Sequence, residues 1–220
     1  MNQAHAVGQR LVETMRRHKA GSLDLSVDLE AHWSPECLSL LLDSDDEAVV
    51  EAAVSALGEV GSMAEAPPVA RMLKHDSPAI CSLAEDALWS IFFRAGGKLA
   101  HAVLTRIAES IDEGETVGVI PLLTELIRSQ PAFAEAHHQR AQAYYLSDQF
   151  DAALRDATRA CKLNPHHFAA LALRGHCFAA LGRPAEATAV YQDVLRLHPR
   201  MDGIRRAIRQ LRERNLSTAR

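Results

Sequence analysis

The chain runs to 220 residues with a net charge of −4; 48% of it is apolar and only 5% aromatic. Such a composition can bury a sizeable core, and one rich in Ala and Leu suits stacked helices better than sheets. No apolar run reaches the roughly 18 residues needed to cross a bilayer, so no membrane span is expected.

From the N-terminus, Val7, Leu11, Val12 and Met15 fall at helical spacing among Arg10, Arg16, Arg17 and Lys19. The stretch lacks the continuous apolar run and cleavage site of a secretory signal. It reads as an amphipathic helix covering the end of the first repeat, with an organelle transit segment as the other reading. Leu23, Leu25, Val27 and Leu29 then alternate with polar residues, the period of a strand. An extended segment is expected there, completing an N-terminal region over residues 1–33.

Residues 34–97 carry an internal repeat. Ala48, Val49, Ala53, Ala56 and Leu57 recur 31 residues on as Ala79, Ile80, Ala84, Ala87 and Leu88. Asp45 precedes one helix and Ser77-Pro78 opens the other, both helix-start signals. These segments resemble HEAT repeats, particularly the short phycobilisome-lyase-like subtype. Trp89 departs from the pattern where the partner repeat has Gly58. The region is acidic, with 11 Asp and Glu and no Lys or Arg between Gly21 and Glu65.

After a joint at residues 92–98, containing Gly96-Gly97, the period changes. Pro131, Pro165 and Pro199 stand 34 residues apart, as do Arg106, Arg140 and Arg174. Tyr144 and Phe178, Ala141 and Gly175, and Ala153 and Ala187 share that offset. The spacing predicts helices over 134–146, 150–163 and 168–181, then one carrying Ala187, Val190, Tyr191, Val194 and Leu195. Asn164-Pro165 ends the second of these, since proline cannot continue a helix. The segments AHHQRAQAYYLSDQFDAALRDATRACKLNP and ALALRGHCFAALGRPAEATAVYQDVLRLHP resemble tetratricopeptide (TPR) repeats in their order of small residue, aromatic, small residue and closing proline. TPR units are expected over residues 98–201, the first of them degenerate, with Ile107 and Ser110 in place of the small and aromatic residues. Pro121 is expected in the first turn of its helix.

Residues 202–220 close the chain with a basic helix. Ile204, Ala207, Ile208 and Leu211 form its apolar face, and Arg205, Arg206, Arg209, Arg212 and Arg214 its other faces. A polar-backed terminal helix is what a repeat stack needs to cover its last unit. Two HEAT-like units are too few to be stable alone. The expectation is therefore one all-α solenoid, HEAT-like and then TPR.

No catalytic signature is present: no GxSxG, no GxxxxGK[ST], no GxGxxG after a strand and no HExxH. The four cysteines, Cys37, Cys81, Cys161 and Cys177, have no CxxC spacing and read as small buried hydrophobes in a reducing cytoplasm. Cys161, His166, His167, His176 and Cys177 share one repeat junction with zinc-type donors, but none of the close spacing of a structural zinc site. No metal or cofactor is expected. Recurrence of Arg106, Arg140 and Arg174 at the repeat period argues for a structural role such as pairing with neighbouring carboxylates.

The TPR resemblance implies a concave groove lined by the first helix of each unit, here by His138, Gln142, Tyr145, Ala172, His176 and Ala179. Family members that clamp the acidic tails of heat-shock chaperones use Lys and Asn where this chain has His138 and Gln142. The groove instead suits a peptide or helix with apolar anchors and few charges. The leading expectation is thus a non-enzymatic adaptor for another protein, whose acidic half attracts a basic surface. A nucleic-acid partner for the Arg-rich terminal helix is the second reading, although no aromatics are interleaved there for base stacking. The lyase-like resemblance implies pigment attachment as a third. Acidic front and basic tail would also allow a salt-sensitive homo-oligomer.

Overall fold

The structure, a computed structural model, describes residues 3–114 and 118–218. Every regular element among the described residues is an α-helix. Backbone contacts divide the chain into two compact units, Met1–Arg94 and Ala95–Arg220.

The first unit holds α1 (Gln3–Arg17), α2 (Leu23–His32), α3 (Pro35–Leu41), α4 (Glu47–Val60), α5 (Ala66–Met72) and α6 (Pro78–Arg94). A short helix followed by a long one occurs twice, as α3–α4 and α5–α6. The long pair packs side by side because Gly58 brings α4 close to α6: a Cβ there would lie 3.2 Å from both Cα and Cβ of Ala87. Trp89, at the matching place in α6, instead packs edge-on against Phe92 and Phe93. Arg94 returns to α4 and donates to the carbonyls of Gly58 and Gly61 at 2.6 and 2.9 Å, satisfying groups at that helix's end.

Two local expectations change here. Residues 23–29 are helical, not extended. Ser22 caps α2 by accepting from the Leu25 amide, and Leu25 and Leu29 are buried while Leu23 and Val27 face solvent. The apolar alternation therefore resolves into an i, i+4 pair turned inward and a second pair left outside. The N-cap of α4 is Asp46 rather than Asp45, accepting from Ala48 N at 3.0 Å.

The second unit holds α7 (Gly97–Asp112), α8 (Val119–Ser129), α9 (Ala134–Leu146), α10 (Phe150–Leu163), α11 (Phe168–Ala180), α12 (Pro184–Leu197) and α13 (Asp202–Thr218). Its helices stack as consecutive antiparallel pairs with α13 against α12, the solenoid architecture expected from the 34-residue period. Pro121 falls in the first turn of α8. Each first helix ends in a residue with left-handed backbone: Gly114 at φ 87°, Asp148 at 57° and Gly182 at 71°. These positions are also 34 apart; glycine accepts that conformation without strain, and Asp148 is the one side chain made to adopt it.

Packing inside the pairs is tight. Ala141, Ala153 and Ala157 form a small-residue seam with Leu173 and Cys177. One repeat later the pairing changes character. Gly175 replaces Ala141, Tyr191 replaces Ala157, and a Cβ on Gly175 would lie 2.5 Å from Tyr191 Cε1. The missing methyl is what admits the phenol ring.

Candidate functional site

That phenol ring helps to build a cleft in the second unit, a space of about 390 Å³. Tyr145 of α9 contributes to its lining, as do His176, Ala179 and Ala180 of α11 and Tyr191 of α12. Gly203, Arg206, Ala207, Gln210 and Leu211 of α13 complete it. A 2.7 Å hydrogen bond joins the Tyr191 hydroxyl to Nδ1 of His176. Their rings meet edge-on at 5.3 Å, and Tyr145 flanks His176 at 6.3 Å. Burial holds the His176 imidazole below its usual pKa, so it is neutral at physiological pH. Burial likewise pushes the Tyr191 phenol up to about 12. The cleft thus presents aromatic faces, a neutral imidazole, one amide and the guanidinium of Arg206.

Of the six groove residues read from the sequence, Tyr145, His176 and Ala179 line this cleft. Gln142 is half-buried on α9 outside its lining. Ala172 is buried in the core formed with Tyr191 and Ile204. His138 is 4% exposed and turned inward. Its Nδ1 lies 3.2 Å from Oε1 of Glu135, itself fully enclosed on the first turn of α9. Tyr191, Arg206 and Gln210 were missed, although the repeat period held a signal for two of them. His138, Ala172 and Arg206 are successively 34 apart, and so are Gln142, His176 and Gln210. The capping helix therefore continues the groove frame as well as covering the core.

The cluster that captures His138 has its own logic. Glu135 Oε1 also accepts from Gln139 Nε2 at 2.7 Å, and Oε2 lies 2.9 Å from Nε2 of His167. Burial pushes the Glu135 carboxyl up, but contacts with His138 and His167 outweigh it and hold the group well below the usual carboxylate range. Burial dominates at His167 and holds its imidazole below the usual value. Glu135, His138 and His167 place one ligand-type atom each within 4.8 Å of one another. They replace the Cys161–Cys177 junction as the geometric candidate for a cation. The tautomer argues against one, however. His167 Nδ1 accepts the Ala170 amide at the start of α11, so its proton sits on Nε2, facing Glu135. A metal-bound histidine normally donates from its second nitrogen, and here a backbone N–H occupies that side. The group is a closed hydrogen-bond cluster joining α9 to the cap of α11.

Next to it, Arg140 grips Asp156 with two hydrogen bonds, Nε to Oδ2 at 2.6 Å and Nη2 to Oδ1 at 2.9 Å, and reaches Thr124 with Nη1. This is the carboxylate pairing expected of the periodic arginines.

A second cleft, about 410 Å³, lies in the first unit between His5, Leu40, Asp43, Asp45, Asp46 and Val49. Asp43 faces Arg71 at 3.3 Å, and Asp46 caps α4 while accepting from Gln9.

Helix pairs in tandem, with a cleft lined by first helices, define a class of repeat protein. Within it, residues 134–167 match the tetratricopeptide repeat family. No curated protein matches the chain. Among solved structures it is similar to the first TPR of Spaghetti (RPAP3) bound to an HSP90 peptide, at 23% identity and a TM-score of 0.50, covering 52% of this chain and 94% of that one. The first TPR domain of human RPAP3 aligns at 24% identity and a TM-score of 0.50, covering 52% and 91%. YrrB, a TPR protein with an unusual peptide-binding site, covers 91% of this chain and 96% of its own at 15% identity and a TM-score of 0.44. For the two RPAP3 domains, at these identities, the likeness is one of fold. No helix among the described residues is long and apolar enough to cross a membrane.

Proposed function

We propose that the chain is a non-enzymatic protein-interaction adaptor whose cleft between α9, α11, α12 and α13 takes a peptide or helix from a partner protein. The observation that carries this reading is the lining itself: Tyr145, Tyr191 and the neutral His176 beside the guanidinium of Arg206. Such a surface matches a ligand with an apolar or aromatic anchor and one acidic group within reach of α13. The RPAP3 domain holds an HSP90 peptide on a similar fold, which supports a peptide as the class of ligand here. The four free thiols fit a reducing compartment such as the cytoplasm. The short–long helix repetition of the first unit supports a HEAT-like reading of residues 34–97.

The test is selection of displayed peptides on the full chain, followed by anisotropy titrations of the winners. Tyr145→Ala and Arg206→Ala are each expected to weaken binding by about 1–3 kcal/mol, roughly 5- to 150-fold. Peptides that bind the wild type and the double variant equally would remove the cleft from the proposal.

A further inference from the structure

The alternation of Leu23, Leu25, Val27 and Leu29 takes on a second meaning once it lies on a helix. Residues two apart on an α-helix stand about 200° apart, so these four divide between opposite sides of α2. Leu25 and Leu29 are fully buried and fix the helix to its unit. Leu23 and Val27 face away from it, 78% and 56% exposed. A helix on the surface of a folded unit needs one apolar face. The helix α2 has two, and the outer one is open to solvent. Ala31, also exposed, carries the outer strip one turn further.

The borders of that strip are acidic. At about 100° per residue, Glu30 stands about 20° to one side of Leu23, and Asp24 about 20° beyond Ala31 on the other. Both carboxylates are exposed. Asp28, the third acid of α2, is engaged by His18 and His32 at 3.0 and 2.8 Å, which leaves Asp24 and Glu30 to edge the strip. The surrounding sequence has the same sign, with 11 acidic residues and no Lys or Arg between Gly21 and Glu65.

We infer that the outer face of α2 docks a basic amphipathic helix of a partner protein, one whose apolar stripe is edged by Lys or Arg. Leu23, Val27 and Ala31 follow the i, i+4, i+8 ridge along which helices pack on one another. The carboxylate borders match cations at the edges of such a stripe, and rim charges steer encounter and select the partner. The same borders disfavour a membrane, whose anionic lipid surface repels them. Nor does α13 of a second copy supply the match, because its apolar residues Ile204, Ile208 and Leu211 are already buried in their own core cluster. This face belongs to the first unit and the peptide cleft to the second, so the two readings stand or fall separately.

The probe is a synthetic peptide of about 18 residues, five helical turns, with one leucine stripe edged by lysines. A control peptide has glutamate at every lysine. Each is labelled with a fluorophore and titrated with the full chain by anisotropy. The lysine peptide is expected to bind saturably, and more weakly as salt rises, while the glutamate peptide does not bind. Leu23→Ser/Val27→Ser should weaken the lysine peptide roughly tenfold or more, with unchanged circular dichroism because both side chains are exposed. Asp24→Lys/Glu30→Lys should reverse the preference in favour of the glutamate peptide. Misfolding cannot imitate that reversal, so it decides the matter should the serine pair fail to fold. The inference is overturned if the wild type shows no saturable binding, if the serine pair binds like the wild type, or if the preference is not reversed. Phosphatidylserine vesicles and light scattering test the other occupants. Vesicle binding that the serine pair loses would assign the face to a membrane, and a mass that falls to the monomer in that variant would assign it to a second copy; either result overturns the inference.

Discussion

Gly175 and Tyr191 occupy the places that Ala141 and Ala157 hold one repeat earlier, so a ring fills space that two methyl groups fill in the neighbour. Adding a methyl at Gly175 forces Tyr191 to move, since the new Cβ would meet Cε1 at 2.5 Å. Gly175→Ala should therefore destabilise the chain by about 1–3 kcal/mol, the usual cost of overpacking, and weaken any cleft ligand. Calorimetric melting measures the first effect and peptide titration the second. Adding Tyr191→Ala to that variant restores the neighbour's Ala–Ala pairing. It should recover part of the stability without recovering the ligand, a non-additivity expected for residues in contact. At Asp148 the argument runs the other way. Its φ of 57° is one that glycine adopts freely at the matching turns. Asp148→Gly should thus be neutral to stabilising, by up to about 1 kcal/mol in urea denaturation. Neither feature needed the structure to be noticed as a substitution pattern. What the sequence could not supply was the 2.7 Å bond from Tyr191 to His176, because a tyrosine on an apolar stripe reads as core until its hydroxyl has a partner.

Among the elements, the joint between α9 and α11 is the most sensitive to acid. The folded carboxyl of Glu135 titrates below its unfolded counterpart, so its contribution is complete above the unfolded value near 4.5 and is lost as pH falls. His167 is held neutral, below its unfolded value of 6.5, and protonation would place a hydrogen on the nitrogen that caps α11. Its contribution is present above 6.5 and is lost as pH falls below it. Stability followed from pH 8 downward should therefore hold level, decline from about 6.5 and fall again below about 4.5. In His167→Gln the first decline should be shallower, with His176, also held below 6.5 by burial, still contributing to it. A wild-type curve flat to pH 5 would contradict this account. The same joint explains why the groove was only partly legible. The 34-residue period located His138 correctly on the first helix of its unit. Nothing in that period revealed that Glu135, one turn back, would draw the imidazole inward. The helix α2 shows the opposite failure, since a run of alternating leucines has strand period and yet satisfies helix spacing at every second apolar position.

Across the whole molecule charge is segregated. Asp43, Asp45 and Asp46 border the cleft of the first unit, while α13 of the second exposes Arg205, Arg206, Arg209 and Arg212. Surfaces of opposite sign on one chain favour association between copies, and added salt screens it over a Debye length of about 10 Å at 0.1 M. Light scattering is expected to report an apparent mass that falls toward the monomer as sodium chloride rises. A mass independent of salt would rule out association through these two surfaces. The all-helical class was readable from apolar spacing, and the 34-residue period from recurring Pro, Arg, small and aromatic residues, because a helix pair hides its greasy side only by stacking on a neighbour. Which residues open onto a cleft was less readable, since it depends on how closely α13 approaches α11 and α12.

The Gly175–Tyr191 exchange has a consequence for anyone who would redesign this protein or trace its ancestry. Successive units look like copies of one template, yet they are not interchangeable parts. Averaging them into a consensus would restore alanine at both places and give a better-knit stack with a blank surface. A recombinant that swapped the two modules would keep the helix stack and lose the ring that walls this cleft.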